Sequence, residues 1–251
     1  SGSAIGATAS GIGTITYTYY SNSNCTSTIS TPIDAGTYYV QAKSSGSSNY
    51  NGATSSCSSH VISPKQLSVS WDSTSSFTYD GNSHSRSLAS TKLTGVNSET
   101  VNLTTSGSGT NASDSEYTTT ASISSVTGGR ANKNNYSLSN SSAKFKINKA
   151  TPTISMNTIS SPIVGTTQTY NYYYNGNGTV SCSSYSTDIA TCSVNTTNKT
   201  VTLEYKRTGW NKIILSATST TNYNSASTSE ISFTVLGVTR TATVYANGNT
   251  L

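Results

Sequence analysis

Charged residues are scarce in this chain of 251 residues: Asp, Glu, Lys and Arg together make up 9%, where about 25% is usual. The formal net charge is +5, and no cluster of Lys or Arg exceeds two residues. A nucleic-acid-binding surface needs a basic stripe that neutralises phosphates. The sequence therefore predicts no nucleic-acid partner, and the positive charge reflects a shortage of acidic residues.

Long apolar segments are also missing. No stretch of 18 apolar residues occurs, which predicts no membrane insertion for this segment. The first residues lack the charged start and compact apolar region of a signal peptide, so we expect a mature, trimmed or excised chain. Hydrophobic residues make up only 32%, which favours several small modules with thin cores over one large core.

Residues of the types that usually serve in catalysis or metal binding are few and scattered along the chain. The two histidines are His60 and His84, and among the nine carboxylates only Asp114 and Glu116 stand close together. A catalytic triad needs a histidine beside a nucleophile and an acid, a glycosidase needs two facing carboxylates, and a calcium loop needs clustered acids. We therefore predict a protein that is not an enzyme, with no catalytic residue, no metal site and no cofactor.

Strand patterns dominate the remaining sequence. Six segments are rich in β-branched and aromatic residues with partial two-residue alternation, which is typical of strands. They are 13–21, 36–44, 66–71, 142–148, 200–206 and 229–235. Asp80-Gly81, Asn175-Gly176 and Asn247-Gly248 accept positive φ and predict tight hairpin turns, so 170–182 is expected to form strand, turn, strand. No long segment has a helical apolar period, and no substantial α-helix is expected.

An Asn-Tyr pair followed by small polar residues occurs three times. The tyrosines are Tyr50, Tyr136 and Tyr223, separated by 86 and 87 residues. About ten residues of strand pattern follow each pair, and then comes a junction that holds Pro64 in the first case and Pro152 in the second. We expect each pair to mark the turn into the last strand of a module, with the tyrosine closing one end of its core.

The spacing of these landmarks predicts the domain organisation. Residues 1–63 form an N-terminally incomplete module, 64–149 a second and 150–237 a third. Residues 238–251 are the start of a further module or an exchanged strand, and the Asn247-Gly248 turn favours the first alternative. Short strands in modules of about 85 residues predict an all-β fold: three tandem antiparallel Ig-like β-sandwich modules in an elongated array.

Several stretches resemble known families. FTYDGNSHS (77–85) followed by FKINKATPTISM (145–156) resembles the YDG-type, mostly-β repeats of bacterial surface proteins. Residues 13–56, with AGTYYVQAKSSGSSNY, are similar to bacterial Ig-like repeats, and 178–194 resembles another bacterial Ig-like type. NASDSEYTTTASISSV (111–126) departs from the pattern, which expects an Ala-Gly-Thr-Tyr run there. The resemblance implies tandem Ig-like domains of a large secreted or wall-attached, adhesin-like protein, and it implies no catalytic residues.

The four cysteines allow three pairings. Only Cys25–Cys57 with Cys182–Cys192 keeps both bonds inside the predicted modules. Cys182 and Cys192 flank a hairpin-sized loop, so we expect them on adjacent strands. Each bond should contribute on the order of 3–4 kcal/mol in the chain-entropy model. No C-x-x-C spacing supports zinc or redox chemistry, and structural disulfides predict an extracellular or cell-surface location.

Tyrosine is abundant, with 17 residues against 3 Phe and 2 Trp. In the Tyr-rich segment, Tyr172 and Tyr174 should share one face of a strand and Tyr173 should point the other way. An exposed pair could stack on sugar rings, which makes Tyr172 and Tyr174 a candidate ligand-binding site. Packing in the core of a sandwich is the alternative that we favour.

Three functions are compatible with these features. The first is a structural stalk or spacer of a large extracellular surface protein, whose partners are the neighbouring modules of the same array. The second is an adhesive module that binds a host or cell-surface glycan or protein. The third is the subunit of an extracellular filament that self-assembles by strand donation.

Overall fold

The computed structural model describes residues 7–242, and the Asn247-Gly248 turn expected from the sequence lies outside them. The chain divides into two compact units. The first consists of the chain up to Ser75 with His84–Gly109 and Glu116–Phe145. The second consists of Ser76–Ser83, Thr110–Ser115 and the chain from Lys146 onward. The middle predicted module contributes to both units, and its boundaries stay a prediction.

The all-β fold class is confirmed. Between residues 7 and 242 the chain forms twenty strands, two single turns of 3-10 helix at Val96–Ser98 and Lys133–Asn135, and no α-helix. None of the helical turns in this range has the length and apolar character that crossing a membrane would require.

The first predicted module forms one antiparallel sheet. Its strands are β1 (Ile15–Tyr20), β2 (Thr28–Ile29), β3 (Gly36–Ser44), β4 (Ala53–Thr54) and β5 (Ser58–Ile62). The order is β2-β1-β3-β4, and β5 also pairs with β3. In the register of β1 and β3, Tyr19 lies opposite Val40. These two side chains are the buried hydrophobic residues of this sheet.

The middle part of the chain contains both antiparallel and parallel pairs. Its strands are β6 (Lys65–Ser68), β7 (Ser76–Thr78), β8 (Lys92–Thr94), β9 (Thr100–Ser106), β10 (Tyr117–Thr127), β11 (Tyr136–Ser139) and β12 (Ser142–Asn148). In the first unit, β10 lies antiparallel between β9 and the first half of β12, and β8 pairs with β9. In the second unit, the last residues of β12 pair with β7.

The purely antiparallel expectation is corrected by two parallel pairs, β6 with β11 and β7 with β12. Each pair joins segments that are far apart in the chain. No hairpin connects them, and the antiparallel direction that a tight turn imposes therefore does not apply.

The last part of the chain forms a two-sheet sandwich. Its strands are β13 (Ile154–Met156), β14 (Thr167–Tyr174), β15 (Val180–Ser184), β16 (Ala190–Asn195), β17 (Thr200–Tyr205), β18 (Gly209–Ala217), β19 (Ala226–Ser227) and β20 (Ile231–Val235). One sheet has the order β13-β14-β17-β16, and the other has β15-β18-β19 with β20 also on β18.

Alternation along the central strands builds the core of this sandwich. Val201, Leu203 and Tyr205 on β17 are buried, as are Ile213 and Leu215 on β18. Because successive side chains of a strand point to opposite faces, each strand supplies every second residue to the core. Each such residue stabilises the fold by about 1.5–3 kcal/mol relative to exposure.

The core of the middle module is smaller. It lies in the first unit, and its buried members are Leu67, Val69, Val101, Leu103, Ala121, Val126 and Tyr136. Trp71 packs against this cluster, and its indole N–H donates to the carbonyl of Asn140 at 2.8 Å. Stability therefore rests on clusters of very different size.

Two of the expected hairpins are wrong. Asn175 and Gly176 connect β14 to β15, which belong to different sheets. Asp80 and Gly81 follow β7, and the Asp80 carboxylate accepts the N–H of Asn82 at 2.8 Å in a local turn. Gly81 has φ +86°, so the dipeptide does supply the left-handed residue, but it does not join two paired strands.

Leu203→Ala should lower the free energy of unfolding of the sandwich by about 2–5 kcal/mol, because it leaves a cavity among fully buried side chains. Urea denaturation followed by Trp210 fluorescence measures this change. Ser193→Ala, at an exposed position of β16, is the matched control and should shift the free energy by less than about 0.5 kcal/mol. Equal effects of the two substitutions would contradict the assigned core.

Candidate functional site

The three Asn-Tyr pairs occupy corresponding places in the chain. Tyr50 and Tyr223 end tight turns in which their carbonyls accept the N–H of Ser47 and Thr220, each at 2.9 Å. Tyr136 follows the 3-10 turn Lys133–Asn135. A short strand and then a longer one follow Tyr50 (β4 and β5) and Tyr223 (β19 and β20), and Tyr136 is itself the first residue of the short strand β11, before β12. The pairs therefore mark the entry into the last strands.

The three tyrosines do not share one environment. Tyr136 is 5% exposed in the core of the first unit. Tyr223 is half-buried, and its ring meets that of Tyr79 edge-on at 5.4 Å. Tyr50 is 62% exposed. The expectation that all three close the end of a core is therefore wrong for Tyr50, because no second sheet formed by residues 7–242 covers the sheet around it and encloses the ring.

The asparagine before Tyr136 binds a segment 100 residues away in the first unit. Its side-chain oxygen accepts the backbone N–H of Ala35 at 2.6 Å. Its side-chain nitrogen donates to the carboxylate of Asp34 at 2.7 Å. Asn135 belongs to the second predicted module, whereas Asp34 and Ala35 belong to the first. One amide group thus connects two predicted modules.

The asparagine before Tyr223 makes the same pair of bonds in the second unit. The oxygen of Asn222 accepts the backbone N–H of Ala112 at 2.8 Å. Its nitrogen donates to the side-chain oxygen of Asn111 at 3.0 Å. We call each arrangement an asparagine clamp: the first consists of Asn135 with Asp34-Ala35, the second of Asn222 with Asn111-Ala112.

Backbone pairing accompanies each clamp. Tyr136 lies opposite Lys65 in the parallel pair of β11 and β6. Tyr223 forms a parallel bridge with Ala150, in which the Ala150 N–H donates to the Asn222 carbonyl at 2.9 Å. Lys65 and Ala150 each lie at the start of the later predicted module. The linker and the turn of that module are therefore held together beside the clamp.

The clamps use both polar ends of a primary amide, which presents an acceptor oxygen and a donor nitrogen on one rigid group. Asp34-Ala35 and Asn111-Ala112 lie 77 residues apart and shortly before the long strands β3 and β10. The side-chain nitrogen of Asn135 donates to a carboxylate, which makes this hydrogen bond charge-assisted and stronger. The side-chain nitrogen of Asn222 donates to a neutral amide oxygen.

A buried carboxylate lies close to the first clamp. Glu99 is 5% exposed; it accepts from the Tyr136 hydroxyl and from the Arg130 backbone N–H at 2.7 Å. The hydroxyl in turn accepts the N–H of Val96 at 2.8 Å. The hydrogen bond from Tyr136, followed by that from Arg130, holds the pKa of Glu99 below its ordinary value, despite burial. Burial and the Glu99 contact raise the pKa of Tyr136.

Two disulfides are present. Cys25–Cys57 and Cys182–Cys192 have Cα atoms 5.9 and 6.0 Å apart. Cys182 lies on β15 and Cys192 on β16, which belong to different sheets. The expectation of adjacent strands is corrected, because the chain crosses the sandwich between the two cysteines. The bond therefore ties the two sheets together.

The sugar-stacking alternative for Tyr172 and Tyr174 is also corrected. Both rings are buried in the sandwich core, whereas Tyr173 is exposed. Burial raises the pKa of Tyr172, and the hydroxyl of Tyr174 accepts the N–H of Gly178 at 3.1 Å. Neither ring offers a free face to a ligand, so the core role that the alternation also allowed is the one they occupy.

Sequence reasoning missed an exposed aromatic pair. Tyr185 is 71% and Trp210 50% exposed, and their rings meet edge-on with centroids 5.8 Å apart. The ammonium of Lys212 lies 5.2 and 5.9 Å from the two centroids and forms an ion pair with Glu230. Alternation on β18 could have indicated this pair, since Trp210 has the opposite parity to the buried Ile213 and Leu215.

Sequence reasoning also assigned the clamp asparagines only to turn shaping. The available signal was the repeated Asx-Ala dipeptide at 34–35 and 111–112. Across residues 7–242, no group of three or more His, Cys, Asp or Glu side chains is placed to hold a metal ion.

No protein-family model and no curated protein matches the chain. Among solved structures, domains 1–6 of the surface layer protein SbsC are 14% identical over 91% of this chain and 36% of that one, with a TM-score of 0.35. Extracellular cadherin domains 1–4 of protocadherin Gamma B7 are 11% identical over 83% and 60%, with a TM-score of 0.29. Extracellular domains 3–5 of Drosophila OTK are 12% identical over 82% and 72%, also at 0.29. The chain spans about a third of the SbsC structure's length.

Acid should destabilise the first unit through Glu99. Its pKa is lowered from 4.5 in the folded state, so the stability it contributes is complete above that value and is lost as pH falls through the folded pKa. The unfolding free energy, followed by Trp71 fluorescence in a Trp210→Phe background, should therefore decline below about pH 4.5.

Glu99→Gln should flatten this decline, because the neutral amide does not titrate. Glu116→Gln, at a surface carboxylate paired with Lys144, is the control and should retain the acid-dependent loss. Identical pH profiles for wild type and Glu99→Gln would contradict the role assigned to Glu99.

Proposed function

We propose that this chain is a structural, non-catalytic segment of a large extracellular surface protein, in which Ig-like modules at 1–63, 64–149 and 150–237 act as a spacer. The observation that carries the proposal is the pair of asparagine clamps. Each clamp bonds a turn of one proposed module to the Asx-Ala segment of the module before it. The stalk role in an adhesin-like protein is part of the same proposal.

The clamps favour a stiff connection over a flexible tether. Each combines two side-chain hydrogen bonds with parallel backbone pairing of the linker. A hydrogen bond contributes about 0.5–1.5 kcal/mol net, and leaving a buried partner unsatisfied costs about 1–3 kcal/mol. Pro152, buried in the second linker, restricts the backbone further. Bending at a clamp therefore has to break several bonds at once.

The disulfides support an extracellular or cell-surface location, because such bonds persist in oxidising environments. Tying together the sheets of the last module through Cys182–Cys192 also suits a protein that must resist unravelling outside the cell. A surface rich in Ser, Thr and Asn keeps such a segment hydrated with little charge.

The clamps predict that the proposed modules within one unit tumble together. Backbone ¹⁵N relaxation should give one rotational correlation time for residues 7–62 and for residues 65–75 and 84–109. Asn135→Ala should raise the exchange rate of the Ala35 amide by about tenfold or more, because its acceptor is removed. Asn222→Ala should do the same to Ala112 and leave Ala35 unchanged.

Asn49→Ala is the matched control, since Asn49 precedes Tyr50 but is exposed, and it should leave both amides unchanged. Two separate, shorter correlation times for the parts of the first unit would contradict a stiff spacer. Unchanged exchange at Ala35 in Asn135→Ala would contradict the clamp itself.

A second candidate function is adhesion through a glycan, and the exposed pair Tyr185–Trp210 favours it. Exposed aromatic rings with a neighbouring ion pair offer apolar faces for sugar C–H groups and charges for hydroxyls. Lys212 and Glu230 supply those charges. The candidate site thus moves from the buried Tyr172 and Tyr174 to the outer surface of the opposite sheet.

If the chain binds glycans, a glycan array should detect binding that Trp210→Ala weakens by about tenfold or more, as expected for an aromatic anchor. Tyr173→Ala is the control, since Tyr173 is an exposed tyrosine on the other sheet of the same sandwich. Binding that survives Trp210→Ala, or no binding to any glycan, would contradict this second candidate.

A further inference from the structure

The first predicted module exposes one apolar face of its sheet. Cross-strand partners share a face, and the register places Tyr17 opposite Ala42 and Tyr19 opposite Val40. His60, opposite Tyr38, lies on the same face, with its ring 5.6 Å from that of Tyr19. We call the surface formed by Ile15, Tyr17, Tyr19, Val40, Ala42 and His60 the open face.

The corresponding sheet of the last module shows what normally covers such a face. There, β18 lies between β15 and β20 just as β3 lies between β1 and β5. Ile213 and Leu215 on β18 and Val235 on β20 are almost completely buried against the sheet β13-β14-β17-β16. The first module has no second sheet among its described residues, and only Tyr19 and Val40 of the open face are buried.

Two grooves remain on the open face. One has a volume of about 350 Å³ and is lined by Ile12, Ile15, Ala42, Tyr50 and Ala53 among others. The other, of about 290 Å³, lies beside Tyr17, Val40, Ser58 and His60. Residues 7–12 of the chain also line these grooves, and the second groove is the one that borders β5.

The outer edge of β5 is free as well. In the second unit, the last residues of β12 pair in parallel with β7. Leu236, directly after β20, forms a parallel bridge with Ile163. Within residues 7–242, β5 pairs with β3 alone. A parallel partner for the last strand is thus a repeated feature that this module lacks.

The C-terminal tail has the properties of such a partner. Residues 237–242 are exposed and outside any sheet, and Leu236, just before them, bridges Ile163 of their own module. Residues 238–246 read VTRTATVYA, a composition rich in β-branched residues that favours a strand. Alternation would place Ala242, Val244 and Ala246 on one side of such a strand.

We propose that residues 238–246 of a second copy add as a parallel strand to the outer edge of β5, with Ala242 and Val244 on the same side of the sheet as the open face, next to the β5 side chains Ser58 and His60. Main-chain bonds of the free edge supply affinity and the groove beside Ser58 and His60 supplies selectivity, as in other cases of strand addition. Because the tail and the open face are different surfaces, the contact is heterologous and extends copies head to tail. The proposal rests on the structural function proposed above and names its partner.

Sedimentation velocity over a concentration series tests the proposal. The full chain should form oligomers that grow with concentration, and a chain lacking residues 238–251 should stay monomeric. The synthetic peptide VTRTATVYANGNTL should bind the shortened chain in titration calorimetry. The clamp and tumbling measurements on the shortened chain should be unchanged, so failure of this proposal is distinguishable from failure of the spacer function.

Paired substitutions locate the contact on both partners. Ser58→Arg places a charge on the open-face side of β5 and should weaken peptide binding by about tenfold or more, whereas Ser59→Arg, on the other side of β5, should not. In the peptide, Val244→Arg should weaken binding by a similar factor and Thr243→Arg should not. The peptide variants cannot unfold the protein, so their effect is independent of folding.

Three results would overturn the proposal. One is a full chain that stays monomeric together with a peptide that does not bind the shortened chain. Another is a monomeric full chain with a peptide that does bind, which indicates that the tail closes on its own copy. The last is oligomerisation of the shortened chain that Tyr17→Arg abolishes, which indicates pairing of two open faces.

Discussion

A primary amide that accepts and donates at once connects one predicted module to the next. Asn135 and Asn222 each satisfy a backbone N–H and a side-chain oxygen on a segment about 100 residues away. Such bonding requires the turn, the linker strand and the Asx-Ala segment to be in place together. The Asn-Tyr turns, the parallel pairing of the linkers and the proposed stiffness all depend on this requirement.

The apolar cores are unequal, and that inequality shapes the rest of the chain. The last module buries fourteen hydrophobic residues in one cluster and the middle module seven, whereas residues 7–62 of the first form a single sheet with one apolar face. Cys25–Cys57 lies in the module with the least core and Cys182–Cys192 across the sandwich with the most. A disulfide reduces the conformational entropy of the unfolded chain whatever the size of the core. Relative to the stability that packing supplies, the first module therefore gains most from its disulfide.

The local pattern of residues predicted where the strands lie, but it did not predict which strands pair with each other. All six segments singled out by alternation contain strands, such as β3 at Gly36–Ser44 and β12 at Ser142–Asn148. The turn at Asn175-Gly176 was recognised, but the chain leaves it for a different sheet, and Cys182 and Cys192 follow that crossing. Whether a turn closes a hairpin depends on packing between sheets, which neighbouring residues in the sequence do not encode. The clamps were not predicted for the same reason, because Asn135 and Asp34 are 101 residues apart in the sequence.

The sequence by itself determined the all-β class, the scarcity of charge and the spacing of the Asn-Tyr landmarks, because composition and two-residue alternation act locally. Only the tertiary structure decided which tyrosines face a core. Tyr136, Tyr172 and Tyr174 are buried and Tyr50 is exposed, although all four lie in similar polar surroundings in the chain. The difference arises because burial depends on whether a second sheet or a neighbouring turn covers the ring.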